Sequence, residues 1–85
     1  MKLRLLYFAS LREQLGTGGE EVAVPEGVST VEGLRAYLMA RDVAWGAALA
    51  PQKSLRVAVN QVMSQPDSPL KSGDEVAFFP PVTGG

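Results

Sequence analysis

Eighty-five residues, 46% of them apolar and 20% charged, make one small globular domain with a modest core and no room for a second. A formal net charge of −1, without any basic run, excludes an electrostatic grip on nucleic acid or on an anionic membrane surface. The chain has neither cysteine nor histidine, which excludes disulfides, thiolate nucleophiles, zinc fingers and relays built on Ser-His or Cys-His.

The first predicted element is a strand from Lys2 to Phe8. Alternation sets Leu3, Leu5 and Tyr7 on one face and Lys2, Arg4, Leu6 and Phe8 on the other, so the charged face ends apolar. Lys2 and Arg4 before "LLYFA" imitate a signal peptide, but the apolar run is too short and Arg12-Glu13 follow at once. No stretch reaches membrane-spanning length, and the expected location is the cytoplasm. "SLREQLG" predicts a short helix with a Ser10–Glu13 capping box, Leu11 and Leu15 one turn apart, and Gly16 as its C-cap. Glycines between Gly16 and Gly19 allow a tight connection into a second strand, "EEVAVPEG", which Pro25 and Gly27 end.

The longest helix follows, capped by Ser29 with Glu32 completing a second capping box, and with Val31, Leu34 and Leu38 in one apolar stripe. Gly33 inside it costs about 1 kcal/mol against alanine and implies a close neighbour. "AWGAALAP" predicts a compact connection with one helical turn, Trp45 lying as a lid on the core. "SLRVAVN" is a strand with Leu55, Val57 and Val59 inward and Arg56 and Ala58 outward. Asn60-Gln61 begins a turn, and Val62-Met63 a brief return strand. "QPDSPLKSGD" is a loop with one helical turn at Pro69-Leu70, its end made soluble by Lys71 and Asp74. In the last strand, "EVAFF", Val76 and Phe78 face the core and Ala77 and Phe79 face away. Pro80-Pro81 then end strand pairing, because neither can donate a backbone hydrogen bond.

This order predicts an α+β fold of the β-grasp, or ubiquitin-like, kind. A mixed sheet packs on one long helix, and the first and last strands are parallel neighbours at its centre. Residues 1–79 form the domain and residues 80–85 an extended tail. "PPVTGG" is stiff at its root and bare at its tip, and six extended residues reach roughly 20 Å. A tail ending in Gly84 and Gly85 can enter a narrow channel on another protein, where any Cβ would collide. Its tip carries the Gly85 carboxylate. At its root, the parallel pairing brings Leu6, Phe8 and Phe79 into one outward patch, with Met63 as a further member and Arg4, Arg56 and Glu75 as a charged rim.

The segments "YFASLRE", "VAVNQ" and "SGDEVAFFPPVTGG" resemble the small-subunit family of molybdopterin synthase (MoaD), a set of ubiquitin-like sulfur carriers, over essentially the whole chain. The "FFPPVTGG" ending is the most specific mark. The resemblance implies that an ATP-dependent activating enzyme (MoeB-type), using ATP-Mg, adenylates the Gly85 carboxylate. A sulfur donor such as a cysteine desulfurase system then converts it to a thiocarboxylate. The large synthase subunit (MoaE-type) takes in Pro80, Pro81, Val82, Thr83, Gly84 and Gly85, and sulfur passes to cyclic pyranopterin monophosphate. The chain itself binds no metal and no cofactor on this reading. Its lack of thiols fits independently, since a thiol-free carrier can hold sulfur only at its terminal carboxylate. Carriers for thiamine thiazole or tRNA thiolation share the Gly-Gly end, as do protein modifiers joined to lysines. A β-grasp binding module with an inert tail is the remaining alternative.

Overall fold

Alternation governs the sheet. In β1 (Lys2–Tyr7), Leu3, Leu5 and Tyr7 are buried while Lys2 and Arg4 stand in solvent. In β5 (Glu75–Phe79), Val76 and Phe78 are wholly buried. The computed structural model describes residues 1–81 and sets these two strands parallel, Leu5 opposite Val76 and Tyr7 opposite Phe78. On the far side of β1 lies β2 (Gly19–Ala23), antiparallel, and on the far side of β5 lies β3 (Arg56–Val59), also antiparallel. With β4 (Val62–Met63) on the outer edge, the order is β2-β1-β5-β3-β4, the β-grasp arrangement expected.

The hairpin between β3 and β4 turns on Asn60 and Gln61, both at positive φ (51° and 68°). Two-residue turns of that hand match the natural twist of the strands they join. Asn60 is held in place from both sides of its amide: Nδ2 donates to Asp74 at 2.9 Å, and Oδ1 accepts from the Glu75 N–H at 3.0 Å. Asp74 also accepts from the Lys71 N–H. It is therefore a structural tie between hairpin and last strand, more than the solubilising charge expected.

Among the described residues three helices complete the fold, and α2 (Val31–Arg41) is the longest of them. Its Val31, Leu34 and Leu38 join the inner sheet residues in one core cluster, as their spacing predicts. Each fully buried leucine is worth about 1.5–3 kcal/mol. The cap is Thr30 and not Ser29: Thr30 Oγ1 accepts from the Gly33 N–H at 3.1 Å. The reason is tertiary. Ser29 gives its carbonyl to the Leu70 N–H, and Thr30 pairs as an isolated bridge with Pro69. The same contacts replace the helical turn expected at Pro69-Leu70 with extended chain, and Leu70 is buried by it. The close neighbour implied by Gly33 is the capping hydroxyl, 3.3 Å from where a Cβ would stand.

Helix α1 (Ala9–Leu15) buries Leu11 and Leu15 and ends at Gly16 with φ 74°, as expected. The Ser10–Glu13 capping box does not form. The helix starts two residues early, Phe8 rather than Ser10 occupies the N-cap position, and no side chain caps it. The connection after α2 is more regular than predicted, a six-residue helix α3 (Val43–Ala48) capped by Asp42, which accepts from the Ala44 N–H at 2.8 Å. Arg35 of α2 holds the chain beyond α3. It donates to the carbonyls of Leu49 (2.6 Å), Ala50 (2.5 Å) and Lys53 (3.0 Å). Among the described residues no helix is long and apolar enough to cross a membrane.

Candidate functional site

The face of the sheet turned away from the core is unusually apolar at one end. Register places Gly19, Leu6, Ala77, Ala58 and Met63 in a single row across all five strands. Glycine begins β2 because a Cβ there would meet the Leu5 carbonyl at 2.7 Å and the Leu6 side chain at 3.2 Å. Ala58 and Ala77 point outward, as predicted, yet both are 5% exposed. Their short side chains sit between the taller Leu6, Phe79 and Met63 of the same and adjoining rows.

One step toward the C-terminal end of β5 stands the aromatic pair. The Phe8 N–H donates to the Phe78 carbonyl at 3.2 Å, which carries the parallel pairing one residue past β1. Phe8 and Phe79 then lie ring on ring, centroids 4.8 Å apart and planes within 3°. Phe8 is 40% exposed, a large apolar side chain left in water. Pro80, half-buried, and Pro81, exposed, follow directly. Arg56 is registered opposite Phe79, and Arg4 opposite Glu75, so the three rim charges fall around the apolar area. Met63 is 57% exposed and shares the row of Leu6, but Ala77 and Ala58 separate the two. The expectations for Val82, Thr83, Gly84 and Gly85 fall outside the described residues.

Behind this patch the sheet is braced by a network that has no local signature in the sequence. Tyr7 stacks on Phe78 with centroids 5.8 Å apart and meets the edge of Trp45 at 6.3 Å. The Trp45 indole N–H donates to the Tyr7 hydroxyl at 3.1 Å, and that hydroxyl donates to Glu20 at 2.9 Å. Glu20 also accepts two bonds from Arg41 (3.1 and 2.6 Å), whose guanidinium lies 4.8 Å from the Trp45 ring centre. Burial, with Glu20 adding to it, pushes the Tyr7 phenol far above its usual range, so it stays a neutral donor. The hydrogen bond to Glu20 likewise raises the Arg41 guanidinium. Trp45 does cover the core, but it also latches β1 to α3. The four partners lie on β1, β2, α2 and at the start of α3, too far apart in the chain for any spacing to betray them.

The sequence suggested no pocket. The structure has a groove of about 670 Å³ between α2 and the β3–β4 hairpin, walled by Met39, Leu55 and Met63. Arg35 lines it too, but its donors are engaged by backbone carbonyls. Among the described residues no group of three or more carboxylates could hold a metal ion. What the described residues offer is an apolar contact surface with charges at its border.

The ThiS family model matches residues 5–85. The molybdopterin synthase sulfur carrier subunit of Escherichia coli (strain K12) is 49% identical over 83 residues, covering 98% of this chain and 99% of its own. That of Haemophilus influenzae is 41% identical over the same shares of the two chains. The crystal structure of SAMP1 from Haloferax volcanii superposes with a TM-score of 0.82 at 27% identity over the full length of both chains. A family model and curated relatives that agree along the whole domain leave one conclusion: the chain belongs to the ThiS family.

Proposed function

We propose that the protein is the sulfur-carrier subunit of molybdopterin synthase. The observation that carries the reading is the stacked Phe8–Phe79 pair, exposed where the chain leaves the central strand, in a protein matched end to end by relatives named for that role. The Gly85 carboxylate attacks the α-phosphate of ATP in an activating enzyme, releasing pyrophosphate and leaving an acyl adenylate. Reduced sulfur from a donor system displaces AMP and leaves a thiocarboxylate. The apolar patch docks on the large subunit, the tail enters its active site, and sulfur passes to cyclic pyranopterin monophosphate. On this reading the acids and bases, ATP and Mg²⁺ belong to the partners, and this chain supplies the carboxylate that carries sulfur and the surface that docks. The reading places the protein in the cytoplasm, where the activating enzyme has ATP.

Removing Gly85, or adding one residue after it, tests this directly. Sulfur transfer in a reconstituted synthase should be lost while the melting temperature stays within a degree or two, since a terminal segment contributes little to a core. A truncated protein that still supported molybdopterin formation at the parent rate would refute the carrier mechanism.

A further inference from the structure

Position 9 carries a backbone conformation that its residue does not favour. Ala9 has φ 52°, in the left-handed region where a Cβ crowds the following carbonyl. Two further costs fall on its neighbour. Phe8 exposes 40% of its surface to water, and it fills an N-cap position that serine or aspartate would satisfy, so α1 begins with no side-chain cap. Strain, an exposed ring and a missing cap coincide at two consecutive residues. Where local rules fail together in an otherwise consistent fold, function is the usual reason.

The geometry explains what the strain accomplishes. Phe8 has to end a strand and start a helix at once: its N–H donates to the Phe78 carbonyl, and its own carbonyl accepts from the Leu11 N–H at 3.1 Å. Phe8 is still extended, with φ −115° and ψ 155°, so its ring stays on the outer face that strand parity assigns it. The reversal of direction between strand and helix is therefore concentrated in the next residue. We infer that left-handed Ala9 is a positioning residue, holding the Phe8 ring flat against Phe79 for partner docking. The inference rests on the docking role proposed above and assigns Ala9 no contact with substrate.

Three variants test it, with affinity for the large synthase subunit of the same host and the melting temperature as readouts. Glycine accepts positive φ freely, so Ala9→Gly should bind within twofold of the parent and melt no lower. At an ordinary helical position in a domain this size, the same change lowers the melting temperature by about 2–8 °C. Valine disfavours the left-handed region most, so Ala9→Val should weaken binding roughly tenfold or more. In a Phe8→Ala background the Ala9→Val effect should shrink to less than twofold, because the ring it positions is gone. Phe8→Asp completes the set: it supplies the missing cap, so it should hold or raise the melting temperature while abolishing docking.

The outcomes separate the claims. If the parent protein does not bind the large subunit, the docking reading fails and takes this inference with it. If the parent binds and Ala9→Val binds within twofold, or loses affinity equally with and without Phe8, only the positioning role is overturned. Should Ala9→Val not fold, the sign for Ala9→Gly decides alone: a drop of the ordinary helical size would show that Ala9 is not strained.

Discussion

Exchanging phenylalanine for glutamate at two adjacent positions separates the two faces of the sheet. Phe78 is wholly buried and stacks on Tyr7 at 5.8 Å. Deleting its ring costs about 3–5 kcal/mol, and an unpaired carboxylate in its place adds several more. Small domains have only about 5–15 kcal/mol in all, so Phe78→Glu should be unfolded at room temperature. Phe79, one residue on, faces outward against Phe8. Phe79→Glu loses that stacking, about 0.5–1.5 kcal/mol, and should melt only a few degrees lower. Its affinity for the large synthase subunit should fall by more than about 2 kcal/mol, roughly thirtyfold, because a glutamate harmless in water would be buried unpaired by a partner. Phe8→Glu should behave like Phe79→Glu. Circular dichroism melts and a titration of the three variants against the large subunit settle the matter. If Phe78→Glu folds, or if both outer variants bind like the parent, the assignment of faces or of the interface is wrong.

The brace behind the patch and the ties of the fold give further expectations. Val57→Asp should abolish the cooperative melt, whereas Arg56→Ala, on the exposed face of the same strand, should change stability by about 0.5 kcal/mol or less. Arg35→Met should cost about 2–4 kcal/mol in urea unfolding, because the carbonyls of Leu49, Ala50 and Lys53 lose a charged donor. A loss below about 0.5 kcal/mol would show that water replaces it. Tyr7→Phe should cost about 1–2 kcal/mol and alter Trp45 fluorescence, since the hydroxyl both accepts from the indole and donates to Glu20. An unchanged emission maximum would show that the bond to the indole does not persist in solution.

What could be read in advance follows the range of the forces involved. Period-two alternation depends only on adjacent residues, so the inward sets of β1 and β5, and with them the outward Leu6, Phe8 and Phe79, were legible. The stripe of α2 was legible for the same reason. Helix caps were not. Residue type favours Ser29, with Glu32 three positions on, and the bridge from Thr30 to Pro69, nearly forty positions away, moves the cap to Thr30 instead. At α1 the strand's own hydrogen bond to Phe78 draws Phe8 into the cap position, where residue type argues for Ser10. The Tyr7, Glu20, Arg41 and Trp45 network joins residues up to 38 positions apart, and nothing in their spacing marks it. The parity argument placed Phe8 and Phe79 on one face, but their flat stacking depends on the turn at Ala9, which alanine's own preferences speak against.

The central claim is that sulfur rides on the terminal carboxylate. The intact mass of the full chain, isolated from its host under non-reducing, thiol-free conditions, tests it most directly. The account predicts a population heavier by the exchange of one oxygen for sulfur, located by fragmentation to Gly85 and lost when the protein turns over with the large subunit. A single species of unmodified mass, from cells actively making the molybdenum cofactor, would contradict it.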